Sequence, residues 1–333
     1  MAATADAAAI LAATRLLRGA HADLVRTYGS IQLIDRRDLS LALLDSEGRV
    51  VSATAEAHLG NLEAVAVAMR AAFGELAPGD AAITSDPSSG GTRVNDHFLV
   101  VPVDAGGRRL GQVVIGAPFY DVGGKRLGNS VPEATDIFAE GVRTLPLRVR
   151  RSGRVDRDIV ELLKLNSRVP ALVAADVAAL LAVATVLAER AAGLLASALP
   201  AALLAGTRET VEQALARVPD GVGHRRLEAG GVEVRVALRR DGLPTFDLGG
   251  SSPQQPSNAN ATLPTALSAV ARAVRDRVGC RLDSGLTAAL RVVALPGTVV
   301  SALDLAAVGD GLRGTCGALE DLVRALLAPE AAA

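Results

Sequence analysis

Residues 98–103 and 110–115 are two runs of large aliphatic and β-branched side chains. They flank Asp104-Ala105-Gly106-Gly107, and no other stretch constrains the fold as tightly. Strand formers on both sides of a short glycine-rich turn predict an antiparallel hairpin. Its outer ends are Asp96-His97 and Pro118 to Asp121, which antiparallel pairing sets side by side. Asp86 and Arg93 stand in the loop just before them. With Gly90-Gly91 and Gly123-Gly124, these residues form a polar island in a chain otherwise rich in Ala, Leu and Val. The spacing alone predicts that this island closes into a cluster.

The rest of the chain follows the same two periodicities. A helix is expected over 7–28 and a hairpin over 39–44 and 49–54. A helix capped by Asn61 is expected over 62–73, then a short strand over 81–84. Beyond the island come a strand (144–149), a short helix (159–165) and two long Ala/Leu helices (174–199 and 203–218). The breadth of their apolar surface predicts burial on more than one face, against the body or a partner subunit. A third hairpin (232–238 and 243–248), a polar loop (249–262), a helix (262–278), a strand (288–294) and a last helix (312–327) complete the chain. The class is α+β, with antiparallel hairpin-built sheets and a central helical segment. One domain, 1–333, is expected, with sub-regions 1–150 (α+β, carrying the site loops), 151–218 (helical) and 219–333 (α+β).

Composition narrows the function. Half of the residues are apolar but only 2% are aromatic, so the core is built from many small aliphatic contacts. A net charge of −1 gives no basic field for a nucleic-acid backbone, and few rings are present to stack bases; no nucleic-acid partner is expected. Cys280 and Cys316 show neither metal-ligand spacing nor a disulfide framework and read as small hydrophobes. The first residues lack the basic region of a secretory signal. The apolar run 177–188, bounded by Asp176 and Glu189-Arg190, is too short to span a bilayer. A soluble cytoplasmic protein without a membrane partner is expected. Gly90-Gly91-Thr92 lacks the spacing of either nucleotide-binding glycine motif, so no direct ATP binding is expected.

Taken in order, the motifs resemble those of the hydantoinase B/oxoprolinase family. That family's rrD-f-S and h-l-G are similar to Arg37-Asp38-Leu39-Ser40 and His58-Leu59-Gly60. Its pG-D…n-D-P-y-x-G-G-t-H-x-x-D resembles Pro78-Gly79-Asp80 followed by Ser85-Asp86-Pro87-Ser88-Ser89-Gly90-Gly91-Thr92-Arg93-Val94-Asn95-Asp96. Its H-H-a-D-x-G-G is similar to Pro118-Phe119-Tyr120-Asp121-Val122-Gly123-Gly124. Ala134 to Gly141, Asn166 to Pro170 and Asp247 to Gln254, reaching Asn260, resemble its later segments. The resemblance implies a subunit of an ATP-dependent cyclic-amide hydrolase of hydantoinase or 5-oxoprolinase type, related also to acetone-type carboxylases. It implies a hetero-oligomer with a hydantoinase A/oxoprolinase-like ATP-binding subunit, acting on a small molecule. In the family the partner activates the substrate carbonyl by phosphorylation, and a metal site built from the imidazoles and carboxylates of these segments completes the conversion.

This chain departs from that pattern at the metal. Arg93 stands where the family has the histidine of G-G-t-H, and Pro118 and Phe119 stand where it has paired histidines. The chain also ends soon after the 312–327 helix, where family members continue, so a shortened C-terminus is expected. Asp86, Asp96 and Asp121 remain as expected catalytic residues together with Arg93. His58, His97, Tyr120, Gly91 and Thr92 are expected to bind substrate. A permanent guanidinium beside these carboxylates would pair with Asp96 or Asp121 and repel a divalent ion. Without such a counter-charge the carboxylates would repel one another and raise at least one pKa. The expectation is therefore no tightly bound cofactor, ATP only through the partner, and no metal; were one retained, Asp96, Asp121 and His97 are its ligands. The alternative is a non-catalytic paralogue that keeps the fold and partner surface. A metal-independent hydrolase on the same scaffold ranks third.

Overall fold

The computed structural model describes residues 2–32, 38–54, 58–128, 131–197, 199–227 and 231–328; Arg37 of the first motif lies outside them. The chain opens with α1 (Ala2–Thr27) and a hairpin of β1 (Ser40–Asp45) and β2 (Val50–Ala53). The turn is fixed by Asp45, whose Oδ1 accepts from the backbone N–H of Glu47 and Arg49. Helix α2 (Leu59–Phe73) begins earlier than the pattern predicts. Asn61 lies inside its first turn and is no cap: its amide donates to the carbonyls of Gly90 and Gly91 at 2.9 and 3.3 Å. Strand β3 (Ala81–Thr84) then leads through a 3₁₀ turn at Pro87–Ser89 into β4 (Asp96–Ala105) and β5 (Arg108–Pro118). Gly106 and Gly107 both take positive φ (58° and 72°), as a two-residue turn matched to the strand twist requires.

Short α3 (Ile137–Glu140), the strands β6 (Leu147–Arg151) and β7 (Arg154–Val155), and α4 (Arg157–Leu165) precede the long helices α5 (Pro170–Leu195) and α6 (Leu199–Leu215). The expected 144–149 strand starts only at Leu147, because Thr144 is tied into the loop cluster described below. A second sheet follows, with β8 (Gly221–Arg226), β9 (Glu233–Arg239) and β10 (Thr245–Asp247). Strand β8 has little sequence signal, since its polar, exposed residues show no buried face. Next come α7 (Leu263–Val278), stopped by Gly279 at φ 73°, then α8 (Ser284–Ala288), β11 (Arg291–Val293) and α9 (Thr315–Leu327). Asp283 starts α8 by accepting from Gly285 N–H, and the expected 288–294 strand is shortened to Arg291–Val293.

The first sheet has the order β2-β1-β5-β4-β3-β6-β7 with every pairing antiparallel; the second has β11-β10-β9-β8, with only β10 and β11 parallel. This is the expected α+β class. The seven-stranded sheet is a wall between two cores. Ala42, Leu44, Phe98, Val100 and Val114 face α2, α7, α9 and the second sheet. Leu41, Leu43, Leu99, Val101, Val113 and Ile115 face α1 and α5.

Helix α5 is longer than the expected apolar run. Its 26 residues reach a mean hydropathy of 2.3 in one window, long and apolar enough to cross a bilayer, though half of that window is buried within the protein. Asp176 does not bound an apolar run but sits inside the helix, fully buried, accepting from Gly29 N–H at 2.7 Å and from the Ser30 hydroxyl at 2.5 Å.

Candidate functional site

The register of the central hairpin sets Asp96 opposite Pro118 and His97 opposite Ala117, and Phe119 N–H closes onto the Asn95 carbonyl at 2.8 Å. The two halves of the polar island therefore meet, as the spacing predicts. Asp96 lies on the face of Phe98 and Val100, His97 on that of Leu99 and Val101.

The loop before β4 is drawn tight by its glycines. Gly90 has φ 92°, and a Cβ there would stand 2.6 Å from Val65 N; a Cβ on Gly91 would stand 2.8 Å from Ser85 O. This packing delivers Thr92 and Arg93 onto Asp96. Thr92 Oγ1 donates to Asp96 Oδ2 at 2.5 Å, and Arg93 forks onto both carboxylate oxygens at 2.7 and 2.9 Å. Arg93 Nη2 also donates to Asp38 Oδ2 at 2.9 Å, and Arg313 Nη2 reaches Asp38 from the other side at 2.9 and 3.1 Å. Arg93 thus bridges Asp38 and Asp96, not Asp121. Burial opposes its charge, but the two carboxylates outweigh that and hold the guanidinium protonated. Its Nη1 makes no hydrogen bond with a described residue.

His58 stands beside this bridge. Burial and the neighbouring Arg272 push its pKa down to about 3, so the ring is neutral. Nδ1 accepts from Arg272 Nη1 at 3.0 Å, and Arg272 is held in turn by Glu320 at 2.9 and 3.1 Å. Glu140, 1% exposed, accepts from Val308 N–H and Gly309 N–H at 2.9 and 2.6 Å. Burial raises its pKa to about 7, partly offset by those two bonds and by Arg93.

The other predicted residues have separate partners. Asp86 caps the 3₁₀ turn, accepting from Ser88 N–H and the Ser89 hydroxyl, and pairs with Arg143 at 3.3 Å. Arg143 also pairs with Asp304. Asp121, fully buried, accepts from Arg168 N–H at 2.7 Å and from the Arg168 guanidinium. Burial pushes its pKa up, but the Arg168 bonds win and the net shift is downward. His97 stacks on Phe119 with centroids 4.0 Å apart. Burial lowers its pKa to about 4, its Nδ1 donates to the Asn95 carbonyl at 3.1 Å, and its Nε2 accepts from Thr144 Oγ1 at 3.2 Å. It lines a mainly apolar cavity of about 240 Å³ with Phe119, Thr144 and Asn166. Tyr120 donates its backbone N–H to the Ser30 hydroxyl at 2.8 Å and is half-buried.

The predicted residues therefore divide. Thr92, Arg93 and Asp96 form one group with Asp38, with His58 beside it; Gly91 packs against Ser85 and Asp86, and Asp86, Asp121 and His97 are each held elsewhere. The donors do not fit a divalent ion: Asp96 is taken up by a guanidinium and a hydroxyl, Asp121 by Arg168, and the His97 imidazole by Asn95 and Thr144. Among the described residues no group of three or more His, Cys, Asp and Glu is arranged to hold a metal. Sequence reasoning noted Asp38 only as a motif residue and missed Arg272 and Arg313. No local spacing could reveal a contact between residues 38 and 313.

The hydantoinase B/oxoprolinase family model matches residues 15–333. A 5-oxoprolinase of Saccharomyces cerevisiae is 25% identical over 318 residues, covering 86% of this chain and 25% of that protein. The 5-oxoprolinase PfmaA of Pestalotiopsis fici is 32% identical over 138 residues, 40% of this chain and 11% of its own length. The crystal structure of ATP-dependent caprolactamase from Pseudomonas jessenii superposes with a TM-score of 0.86 at 24% identity, covering 97% of this chain and 59% of that one. The last comparison establishes the fold. This chain spans less than two thirds of the length of each of these relatives.

Proposed function

We propose, because the chain belongs to the hydantoinase B/oxoprolinase family, that it is a subunit of an ATP-dependent cyclic-amide hydrolase of hydantoinase or 5-oxoprolinase type. It works in a cytoplasmic hetero-oligomer with a separate ATP-binding subunit and holds no tightly bound cofactor of its own. One observation carries the reading: Arg93 stands fixed between Asp38 and Asp96, and its Nη1 makes no hydrogen bond with a described residue. A guanidinium pre-set by two buried carboxylates is an organised electrostatic donor. Its Nη1 edge would receive a carbonyl or phosphoryl oxygen of the activated substrate, and Asp96 would border the pocket. On this reading Arg93 supplies the positive charge that a metal would otherwise bring.

A second reading has its own support. Each of the three motif carboxylates, Asp86, Asp96 and Asp121, is already neutralised by an arginine, which suits a non-catalytic paralogue that keeps the fold and the partner surface. Co-purification with a hydantoinase A-like subunit, followed by ATP-dependent ring opening of 5-oxoproline and a panel of hydantoins, separates the two. Turnover that Arg93→Ala abolishes supports the hydrolase. A stable complex without turnover supports the paralogue, and failure to form a complex overturns both.

A further inference from the structure

A cavity of about 420 Å³ lies between α1, the edge strand β2 and the α7–α8 connection. None of its lining residues belongs to the ion pairs of Arg93, Asp86 or Asp121. Its apolar wall is made by Leu17, Leu39 and Leu282, all buried. Its charged wall is made by Arg18, Arg275 and Arg281, and no aspartate or glutamate among the described residues lines it. Two of these arginines have counter-charges just outside: Arg275 donates to Asp276, and Arg281 to Asp283. Arg18 makes no hydrogen bond or ion pair with a described residue.

We propose that this cavity binds a small amphipathic monocarboxylate. Its volume suits a ligand smaller than a typical drug, with a short aliphatic body against the leucines. The carboxylate meets the charge of Arg18, which has no counter-charge among the described residues, and the arginine fork suits it geometrically. An ammonium group would face three guanidinium groups and, among the described residues, no acid, so an amine or a zwitterionic amino acid is rejected. An inorganic anion would leave the apolar wall unfilled. The site is independent of the cyclic-amide reading and survives its failure.

The chain carries its own reporter. Its two cysteines differ in place: Cys280 lines this cavity, whereas Cys316 is fully buried elsewhere. Burial raises both thiols, Cys280 to about 11 and Cys316 to about 12, so labelling at alkaline pH reports Cys280 in the native protein. The test titrates the full chain with hexanoate, hexylamine, hexanol, 6-aminohexanoate and inorganic phosphate, reading calorimetric heat and the rate of Cys280 alkylation. Hexanoate is expected to bind and to slow alkylation, while the other four do neither at the same concentration. Arg18→Ala should weaken hexanoate about tenfold, the loss of one charged hydrogen bond. Ala53→Leu, which fills the cavity from β2, should remove both heat and protection. Equal protection by hexanol, competition by phosphate at equal strength, an unchanged affinity in Arg18→Ala, or no heat from hexanoate would each overturn the proposal. Should Cys280 resist alkylation, the calorimetric contrast between the native chain and Ala53→Leu decides alone.

Discussion

Arg93→Ala removes the guanidinium that Asp38 and Asp96 share. Both carboxylates have side chains less than a tenth exposed, and Arg93 itself is 13% exposed. Breaking a buried ion pair by deleting one partner costs about 3–5 kcal/mol, because a charge is left uncompensated. Here Arg313 still serves Asp38 and the Thr92 hydroxyl still serves Asp96. The expected loss therefore falls at the lower end, about 3 kcal/mol. Urea denaturation with an unchanged m-value measures it. In Arg93→Met/Asp96→Asn, where both charges are gone, part of the loss should return, giving a coupling term in a double-mutant cycle. Arg93→His adds a second arm, because it sets an imidazole beside Asp38 and Asp96. Zinc at a hundredfold excess over its dissociation constant should then stabilise this variant by about 2.7 kcal/mol. The native chain should gain nothing. A loss below about 1 kcal/mol in Arg93→Ala, the worth of a surface pair, would refute the reasoning. So would equal zinc stabilisation of the native chain.

Three further outcomes are expected. The folded-state pKa of Glu140, about 7, stands above its ordinary 4.5, so its stabilising contribution is complete below pH 4.5 and is lost as pH rises through 7. Glu140→Gln should flatten the stability–pH curve in that window by on the order of 3 kcal/mol, measured by denaturation at pH 5 and pH 8; an unchanged slope would show that Glu140 is not buried as described. The imidazoles of His58 and His97 should hold opposite tautomers, protonated at Nε2 and Nδ1 respectively, and stay neutral at pH 5; nitrogen-detected NMR showing matching tautomers would contradict their assigned partners. Gly90→Ala should destabilise the fold by at least about 2 kcal/mol through positive φ and overpacking, whereas Gly106→Ala, with nothing within 4 Å of its new Cβ, should lose less in the same thermal melt.

The sequence was most legible where one local signal decided the geometry. Alternating strand formers around Gly106-Gly107 gave both the hairpin and the meeting of Asp96 with Pro118, because register follows from turn length. The Arg93–Asp96 pair, three residues apart, was within reach of the same reasoning. The Asp38 half of the bridge was not, since its partners lie 55 and 275 residues away and only the closing of the two cores brings them together. Asn61 misled for a related reason: its residue type suits a helix cap, but its amide is used to hold the Gly90-Gly91 loop. Strand β8 was invisible because its partner, not its own side chains, makes it a strand. Asp176 looked like the end of an apolar run, yet a buried carboxylate is tolerated there because Ser30 and Gly29 satisfy it.

The shared wall between the two cores also governs which changes of length the chain can accept. Along β4, odd-numbered positions serve the α1–α5 side and even-numbered positions the side of the second sheet. One inserted residue within this strand would exchange the two allegiances for everything beyond it, damaging both cores at once. A pair of inserted residues would restore the alternation and shift only the turn. Among descendants of this sequence, changes of strand length should therefore survive in twos within β4, whereas the exposed Gly106-Gly107 tip should vary without regard to parity.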